Sequence, residues 1–420
     1  MSSTATTPKL VIIGAGFAGM WAAVGAARKR HLAGKPDDAV DIVVVAPDAE
    51  PTLYVRPRLY ETDFAEAHTP IGPLFAAVGV KYVQGTVTKL LPESKSFEYV
   101  SGNGEKRTLA YDAVILATGS KLFRPADVAG LDEFTVNADD MPNAHKLDAH
   151  LKALAELPAS PARNTVVVVG GSFTGVEIAA EMPRRLREIL GTEMTPPPRV
   201  VVLERGKRID FMGETSKATP LVEEVLAGLG VELVTGEQAA AVDAEGITTA
   251  SGLRIACKTV IWAAGMRAEG LTAQLPATVP RDNLGRLLVT PELKVPGVGL
   301  EGFYAAGDTA GVAADDKGHW VLQSCQHANN LGKTAGYNAM AELLGLGADA
   351  IRYCQPVYGT CLSLGPWGAL FTMGWEREIN KVEEEGFKMK TYINTQLIYP
   401  PPANREEAFK AADPAVQVVA

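Results

Sequence analysis

The chain has 420 residues, of which 47% are hydrophobic and 21% charged, a composition that can bury a sizeable core and predicts two or three domains. Its 49 acidic and 40 basic residues give a formal net charge of −9, which would repel a phosphate backbone and disfavours a nucleic-acid partner. The cysteines, Cys257, Cys325, Cys354 and Cys361, form neither a CxxC nor a CxxxxC pair, which excludes a disulfide framework and indicates reduced thiols in a cytoplasmic protein.

Neither the N-terminus nor the longest uncharged stretch has the pattern of a membrane segment. The apolar run at residues 10–13 is too short for a signal peptide. The uncharged stretch at residues 353–375 contains two prolines and four glycines, which predicts buried strands and turns rather than a membrane helix. We therefore expect a cytoplasmic protein without a transmembrane segment.

The first part of the chain alternates strands and a helix around a glycine-rich turn. Residues 10–13 (LVII) predict a strand, residues 17–30 a helix, and residues 41–45 (DIVVV) and 111–117 (YDAVILA) two further buried strands. Alternation of this kind with nearly continuous apolar strands is typical of parallel sheets covered on both faces.

The same pattern begins again after a short linker at residues 159–162. Residues 165–169 (TVVVV) predict a strand, a helix follows from about Val176, and residues 199–203 (RVVVL) and 258–263 (KTVIWA) predict two more strands. The repeat indicates an α/β protein with two Rossmann-like dinucleotide-binding domains and a C-terminal α+β segment. The expected segments are residues 1–122 and 286–348 for the first domain, 160–285 for the second, and 349–420 for the C-terminal segment.

Gly14, Gly16 and Gly19 form a GxGxxG motif between the first strand and its helix, with Phe17 and Ala18 inside it. The first glycine permits the turn, the second lets the backbone approach a pyrophosphate, and the third allows the helix to pack closely on the strand. A glycine turn without a ligand is the alternative, which the flanking strand and helix disfavour.

The acidic residue that usually binds the ribose at the end of the second strand is absent from the first unit. Ala46 occupies that position and Asp48 follows two residues later. Asp48 is interpreted either as a ribose contact or as an ordinary turn aspartate.

The second unit has the motif Gly170-x-Ser172-x-Thr174-Gly175, in which Ser172 replaces the middle glycine and adds a hydroxyl donor. Its second strand does end in an acid, Glu204, whose carboxylate would accept hydrogen bonds from a ribose and repel a 2′-phosphate. NADH is therefore predicted over NADPH, although the neighbouring Arg205 keeps NADPH open as an alternative.

Together these residues resemble the two-dinucleotide FAD/NAD(P)H oxidoreductases, and within them the type II NADH dehydrogenases, over about residues 8–345. Residues 54–60 (YVRPRLY), with Arg56 and Pro57, are similar to the LFxPLLY segment on the flavin side of that family. The other matching segments are Ala117-Thr118-Gly119, Ala263-Ala264-Gly265 and Ala305-Ala306-Gly307-Asp308. The resemblance implies FAD in the first unit and the pyridine nucleotide in the second, with Asp308 holding the ribitol and phosphate region of FAD. An N-cap role for Asp308 is compatible with that contact.

Residues 324–332 (SCQHANNLG) are similar to the TAQxAxQQG motif of the family, which lies beneath the flavin ring beside the quinone. Gln326 and Ala328 match the motif, whereas Ser324, Cys325, Asn330 and Leu331 depart from it and alter the acceptor pocket. The resemblance implies that Gln326 and Cys325 adjoin the flavin and the acceptor, on the side opposite the nucleotide. A polar helix face without a ligand is the alternative.

Glu177, in the first turn of the second unit's helix, occupies a position that in related enzymes lies near the nicotinamide and the flavin. Its other interpretation is a carboxylate that favours a helix N-terminus.

The remaining patterns limit the chemistry. The six histidines show no metal-ligand spacing, and GxSxG and P-loop motifs are absent, so we predict no metal site and no acyl or phosphoryl transfer. Without a CxxxxC pair, electrons would pass directly from flavin to a small acceptor, for which a quinone fits best. The alternative is an NAD(P)H-dependent ferredoxin or rubredoxin reductase, or an apoptosis-inducing-factor-like redox protein.

Two further expectations concern partners. Type II NADH dehydrogenases dock to the bilayer through C-terminal amphipathic helices, whereas residues 386–398 here alternate in polarity and predict a β-rich stretch followed by three prolines. At most peripheral membrane contact is therefore expected. A homodimer is left open.

Overall fold

The computed structural model describes residues 7–56, 67–209, 211–213, 216–268, 270–297 and 299–417. In chain order the strands are β1 Lys9–Ile13, β2 Asp41–Ala46, β3 Thr52–Tyr54, β4 His68–Pro70, β5 Lys81–Leu91, β6 Ser96–Ser101, β7 Lys106–Ala110, β8 Ala113–Leu116, β9 Ser120–Leu122, β10 Thr165–Val169, β11 Arg199–Glu204, β12 Val231–Thr235, β13 Ala239–Asp243, β14 Gly246–Thr249, β15 Arg254–Ala256, β16 Thr259–Trp262, β17 Met266–Ala268, β18 Leu287–Leu288, β19 Phe303–Ala305, β20 Ala310–Gly311, β21 Gly359–Ser363, β22 Ala369–Met373 and β23 Glu378–Lys381.

The α-helices are α1 Phe17–Leu32, α2 Gly72–Ala77, α3 Leu131–Phe134, α4 Met141–Ala153, α5 Phe173–Leu190, α6 Ala218–Gly228, α7 Cys325–Leu343, α8 Glu383–Tyr392 and α9 Arg405–Ala411. Short 3₁₀ helices lie at Pro92–Ser94, Leu154–Glu156, Gly270–Gln274, Gly307–Thr309, Gly347–Asp349 and Gly365–Trp367. A π-helical turn, Ile393–Leu397, follows α8 directly.

The first sheet has the strand order β19-β8-β1-β2-β5-β6-β7. It is parallel from β19 to β5, with Leu10 paired to Ile42 on one side and to Ala113 on the other. The predicted parallel sheet is thus confirmed, and β6 and β7 extend it in antiparallel pairing, which the sequence pattern did not predict.

Helices α1 and α7 cross closely over this sheet because glycines lie at their contact. A Cβ on Gly25 would come within 2.7 Å of the Lys333 carbonyl oxygen, and one on Gly332 or Gly336 would overlap the backbone of α1. Small residues allow two backbones to approach to a distance that side chains would prevent. The crossing sets the start of α7 beside the glycine turn that precedes α1.

The second sheet has the order β12-β11-β10-β16 and is parallel throughout. Every residue of β10, TVVVV, is buried, as expected for a central strand covered on both faces. The second Rossmann-like unit is therefore confirmed, and its helix α5 begins at Phe173, three residues before the predicted start.

The two units are joined by an antiparallel ribbon of β9 and β17, in which Lys121 pairs with Arg267. Strand β9 directly follows β8 and strand β17 directly follows β16, so the ribbon brings the carboxyl edges of the two parallel sheets together. Strand β19 then returns to the first sheet beside β8. The exact bounds of the four predicted segments stay predictions.

The C-terminal segment contains the antiparallel sheet β21-β22-β23, which agrees with the strands and turns predicted for residues 353–375. The β-rich prediction for residues 386–398 is wrong, because this stretch lies in α8 and the following π turn. Three glutamates occupy the first turn of α8, and Lys388 lies 3.1 Å from Glu384 and 2.8 Å from Glu385. Acidic residues at the N-terminus and such i,i+3 and i,i+4 pairs favour a helix over the alternating pattern.

No helix in the part of the chain that the structure describes is long and apolar enough to cross a membrane.

Candidate functional site

Two cavities lie between the units and share a wall. The first, about 490 Å³, follows the glycine turn of α1 and the end of β2, and the second, about 420 Å³, follows the start of α5 and the edge of β21. The residues that line both are Arg56, Glu177, Gln323, Ser324, Cys325, Lys390 and Asn394. A long ligand in the first cavity would therefore meet a second ligand at this shared wall.

The first glycine motif shapes one end of the first cavity. Gly14 has φ +110° and a side chain on it would overlap the Ala117 carbonyl, while a side chain on Gly19 would overlap the Gly14 carbonyl. In contrast, a Cβ on Gly16 would meet no protein atom within 4 Å, and Gly16 lines the cavity with Phe17 and Ala18. The helix begins here without a side-chain cap, so its first N–H groups are available to an anion.

The opposite wall of the first cavity contains a charged cluster. Ser120 donates a hydrogen bond of 2.5 Å to Asp308, and the Arg56 guanidinium donates to the Ser120 carbonyl at 2.6 Å. Arg56 also lies 3.9 Å from Asp308 and 3.4 Å from Asp139. The predicted Ala117, Thr118, Gly119 and Gly307 line the same cavity, whereas the predicted Pro57 lies outside the described residues.

Asp48 also lines the first cavity, close to the end of β2. Burial raises the pKa of its carboxyl above the ordinary value. The structure thus places Asp48 on the ligand side of the strand end, and its contact with a ribose stays a prediction.

The second glycine motif borders the second cavity through Ser172 and Thr174. Gly170 has φ +108°, and a side chain on Gly175 would overlap the Gly170 carbonyl. Ser172 precedes α5 without making a side-chain cap and lines the second cavity, so the first helical N–H groups are available to an anion such as a pyrophosphate.

Glu204 holds two loops together at this site. One carboxylate oxygen accepts from the Gly171 N–H and the other from the Gly206 N–H, both at 2.7 Å. The predicted residues Gly19, Gly170, Gly175, Glu204 and Ala264 line neither of the two cavities, while Gly265 lines the second. The contribution of Glu204 therefore includes the shape of the glycine loop.

Glu177 is buried at the shared wall and paired with a cation. Its Oε1 accepts from the Lys390 ammonium at 2.7 Å and from the Ser363 N–H at 2.9 Å. Lys390 donates further to the Cys361 carbonyl at 2.8 Å. The first turns of α5, the sheet edge at β21 and α8 thus meet at one buried ion pair.

The segment at residues 324–332 forms the start of α7, with Ser324 as its N-cap. Ser324, Cys325, Gln326 and Ala328 line the cavities, and burial raises the pKa of the Cys325 thiol. Asn330 and Leu331, which differ from the family motif, line neither cavity. Asn330 donates to Gln355, and Leu331 packs in the core between α1 and α7.

Gln326 lines the second cavity, the one that also contains Ser172 and Thr174. The expectation that the acceptor and the nucleotide approach from opposite sides stays a prediction. The C-terminal sheet closes over the start of α7 and places Gly359 against Gln326, at 3.3 Å from its Oε1. Residues of both binding regions consequently border one continuous space.

Comparison with known proteins agrees with this arrangement. Residues 8–332 match the family model described as pyridine nucleotide-disulphide oxidoreductase. The chain belongs to the pyridine nucleotide-disulphide oxidoreductase family. It is 39% identical, over 97% of its length and 99% of the relative's, to an NADH dehydrogenase-like protein of Mycobacterium tuberculosis. It is 27% identical, over 88% of its length and 87% of the relative's, to a demethylphylloquinone reductase of Synechocystis.

Among solved structures, that of NDH2 from Plasmodium falciparum in complex with NADH superposes with a TM-score of 0.76 at 16% identity, covering 96% of this chain and 97% of that one. At this identity the likeness concerns the fold. The resemblance to type II NADH dehydrogenases and the predicted flavoprotein fold are confirmed.

Membership of the pyridine nucleotide-disulphide oxidoreductase family implies FAD and NADH as cofactors, as predicted. The residues of the first cavity fit FAD, because the space above Gly16 is open and because the buried Thr118 Oγ1 and Gln323 Nε2 have no hydrogen-bond partner among the residues that the structure describes. Buried polar atoms are normally hydrogen-bonded, so these two atoms fit a bound polar ligand.

Unlike the members of the family that relay electrons through a disulfide, this chain has no CxxxxC pair. Its four cysteines are free thiols, and burial raises the pKa of Cys361 to about 12. A thiolate relay therefore has no support from these residues.

Several residues of the site were missed by sequence reasoning. Lys390 and Asn394 were hidden by the incorrect strand prediction for residues 386–398. Ser120 directly follows the recognised Gly119, so its position was a usable signal. No pattern in the sequence pointed to Gln323 or Tyr358, because their positions in the site depend on how α7 meets the C-terminal sheet.

Proposed function

We propose that this protein oxidises NADH through bound FAD and reduces a small quinone or quinone-like acceptor in the second cavity. When bound, FAD accepts a hydride and releases electrons to a second substrate. The observation that carries the proposal is the shared wall, where Glu177, Cys325 and Lys390 border both cavities. It brings a ligand in either cavity within reach of the other.

The residues of the second cavity suit a flat, partly apolar ring. Phe173 and Phe211 pack edge to face at 4.8 Å between ring centroids, and Tyr358 and Ile393 add apolar surface. Gln326 supplies an amide at the same surface. An amide donor beside apolar walls favours an acceptor whose carbonyl oxygen gains negative charge on reduction. The name of the Synechocystis relative, a demethylphylloquinone reductase, supports the same substrate class.

Because residues of both binding regions border one space, we propose that NADH and the acceptor bind in turn. NAD⁺ would leave before the acceptor enters, which is a ping-pong mechanism. Double-reciprocal plots of velocity against NADH at several concentrations of a soluble benzoquinone should then be parallel. Intersecting lines would indicate simultaneous binding and contradict the shared space.

The acceptor class is tested by a screen with NADH in excess, comparing soluble quinones with small iron–sulfur proteins. We expect rapid reduction of quinones and slow reduction of ferredoxin or rubredoxin, since the net charge of −9 would repel an acidic protein partner. A preference for the iron–sulfur partner would replace the proposal with the reductase alternative.

Substitution of Gln326 by alanine tests the position of the acceptor. We expect kcat/KM for a benzoquinone to fall by about 10- to 100-fold, the value of a hydrogen bond to a developing charge. Reduction of the flavin by NADH, followed by stopped flow, should change far less. A variant with slow flavin reduction and normal reoxidation by quinone would assign Gln326 to the nucleotide instead.

Peripheral membrane contact, a homodimer and the absence of nucleic-acid binding stay proposals. Residues 386–398 are helical, so a β-rich stretch cannot explain weak membrane contact. Helix α8 does expose Phe387 and Tyr392, but it begins with three consecutive glutamates. These would be repelled by an anionic leaflet, so little of the protein should float with anionic liposomes at physiological salt.

A further inference from the structure

We propose that Gln355 is a positioning residue that fixes the orientation of the Gln326 amide toward the acceptor. Gln355 lies in the C-terminal segment and has no exposed surface. Its backbone N–H donates to the Ala314 carbonyl at 2.6 Å, which holds the residue in place. The proposal depends on the proposed function, since it assigns a role to the same acceptor pocket.

Two donors fix which way the Gln355 amide points. Its Oε1 accepts from Asn330 Nδ2 at 2.8 Å and from the Tyr353 hydroxyl at 2.9 Å. An amide oxygen has two lone pairs, whereas the lone pair of an amide nitrogen is delocalised into the carbonyl group and accepts no hydrogen bond. With Asn330 and Tyr353 donating to its oxygen, Gln355 turns its nitrogen toward Gln326.

The orientation passes from Gln355 to Gln326. Gln355 Nε2 donates to Gln326 Oε1 at 3.3 Å, and the Gly359 N–H donates to the same oxygen at 3.3 Å. Gln326 Nε2 in turn lies 3.4 Å from the Gly359 carbonyl. These distances are at the long end of the hydrogen-bond range, and the Gln355 contact is one of the hydrogen bonds that hold the oxygen of Gln326.

Gln355 and Gly359 thus hold the oxygen of Gln326, and its nitrogen is the group that we propose donates to the acceptor. Loss of the Gln355 donor would weaken this hold and favour rotation of the amide, which would turn an oxygen toward the quinone carbonyl and repel it. A purely structural role for Gln355, holding residues 353–359 against α7, would give a different result from substitution.

Replacement of Gln355 by glutamate separates the two roles. An ionised carboxylate still accepts from Asn330 and Tyr353 but cannot donate to Gln326. A protonated carboxyl can donate again. We therefore expect kcat/KM for a soluble benzoquinone to be about tenfold below wild type at pH 8 and to recover as the pH is lowered through the pKa of the introduced group, which burial should raise.

Gln355→Met, which has similar length but no donor, is the matched control and should show the lowered quinone activity at every pH. Tyr353→Phe removes one donor to Gln355 and should lower it by less. In all three variants the anaerobic bleaching of the flavin by NADH and the turnover of ferricyanide, which needs no hydrogen bond from Gln326, should stay near wild type.

The outcomes separate this proposal from the proposed function. Suppose that Gln326→Ala lowers quinone turnover, so that the acceptor site stands. The positioning role is then overturned if Gln355→Glu behaves like wild type. It is also overturned if Gln355→Glu and Gln355→Met are equally impaired at every pH. Equal losses of quinone and ferricyanide turnover would also overturn it in favour of a structural role. If Gln326→Ala leaves quinone turnover unchanged, the acceptor site fails and the positioning role fails with it.

Discussion

Lys390 and Glu177 are 213 residues apart in the chain, and their side chains form a buried ion pair with 2.7 Å between Nζ and Oε1. The Glu177 side chain is 4% exposed and the Lys390 side chain 12%. The pair connects the helix of the second dinucleotide unit to the C-terminal segment at the wall that both cavities share. Because Lys390 of α8 pairs with Glu177 at this wall, the C-terminal segment completes the site rather than merely covering it.

The Lys390→Met variant should be markedly less stable, because it leaves the Glu177 carboxylate buried without its cation. Losing one partner of a buried pair costs about 3–5 kcal/mol of unfolding free energy. The double variant Glu177→Gln, Lys390→Met should recover most of this loss, since no charge is left buried. Denaturant unfolding of the four proteins of this cycle measures both effects. If the double variant were less stable than Lys390→Met, the instability of Lys390→Met would not come from the unpaired charge of Glu177.

Substitution at two glycines of the first motif should separate cofactor binding from folding. Gly16 has an ordinary extended backbone and open space around its Cβ position, so Gly16→Val should fold but occupy the space of the pyrophosphate and abolish FAD binding. A side chain on Gly19 would overlap the Gly14 carbonyl, so Gly19→Ala should lower the melting temperature of the apoprotein as well. Flavin absorbance measures FAD binding, and circular dichroism measures the folding and the melting temperature of each variant. A yellow Gly16→Val protein would place FAD elsewhere.

The parts of the fold that could be predicted are those encoded by local patterns. The apolar runs at residues 10–13 and 165–169 predicted central parallel strands, and the glycine spacing predicted the turns at Gly14 and Gly170. These predictions are correct because buried parallel strands need continuous apolar side chains and because a turn with positive φ needs glycine.

The parts that could not be predicted depend on contacts distant in sequence. Lys390 was missed because the polarity of residues 386–398 fits a strand as well as a helix, and packing of Gly386 against the Ala369 backbone decides for the helix. The bonds of Glu204 to two loop N–H groups likewise depend on the fold of β11 and its neighbours. No pattern along the chain shows that Gln355 meets Gln326.

NADH should be preferred over NADPH, and Glu204 should determine the preference. A Glu204→Gln change removes the negative charge and leaves one of the two loop N–H groups facing an amide nitrogen. We expect KM for NADH to rise and the ratio of kcat/KM for NADH to that for NADPH to fall by about tenfold, equivalent to about 1.4 kcal/mol. Steady-state kinetics with both nucleotides provide the values. A wild-type protein that prefers NADPH would mean that Arg205 dominates the ribose contact.

The stability of the protein should decrease below about pH 6.5 because of His327. This ring is buried against Tyr358, with 4.6 Å between the ring centroids, and its Nδ1 accepts from the Leu322 N–H at 3.2 Å. Burial, with a smaller effect of Arg377, lowers the pKa of His327 to about 3. Well above pH 6.5 the ring is neutral in both the folded and unfolded chains, so it makes no pH-dependent contribution there.

Between pH 6.5 and about 3 the unfolded chain binds a proton that the folded chain does not, which lowers the unfolding free energy by about 1.4 kcal/mol per pH unit. From pH 7 to pH 5 the wild type should therefore lose about 2 kcal/mol more than His327→Phe, which keeps a ring against Tyr358 but cannot titrate. The variant should start less stable, because the Leu322 N–H loses its acceptor. Denaturant unfolding at the two pH values gives the comparison, and since the other histidines and the carboxylates titrate in both proteins, the difference isolates this residue. Equal losses in the two proteins would mean that His327 is protonated in the folded chain as readily as in the unfolded one.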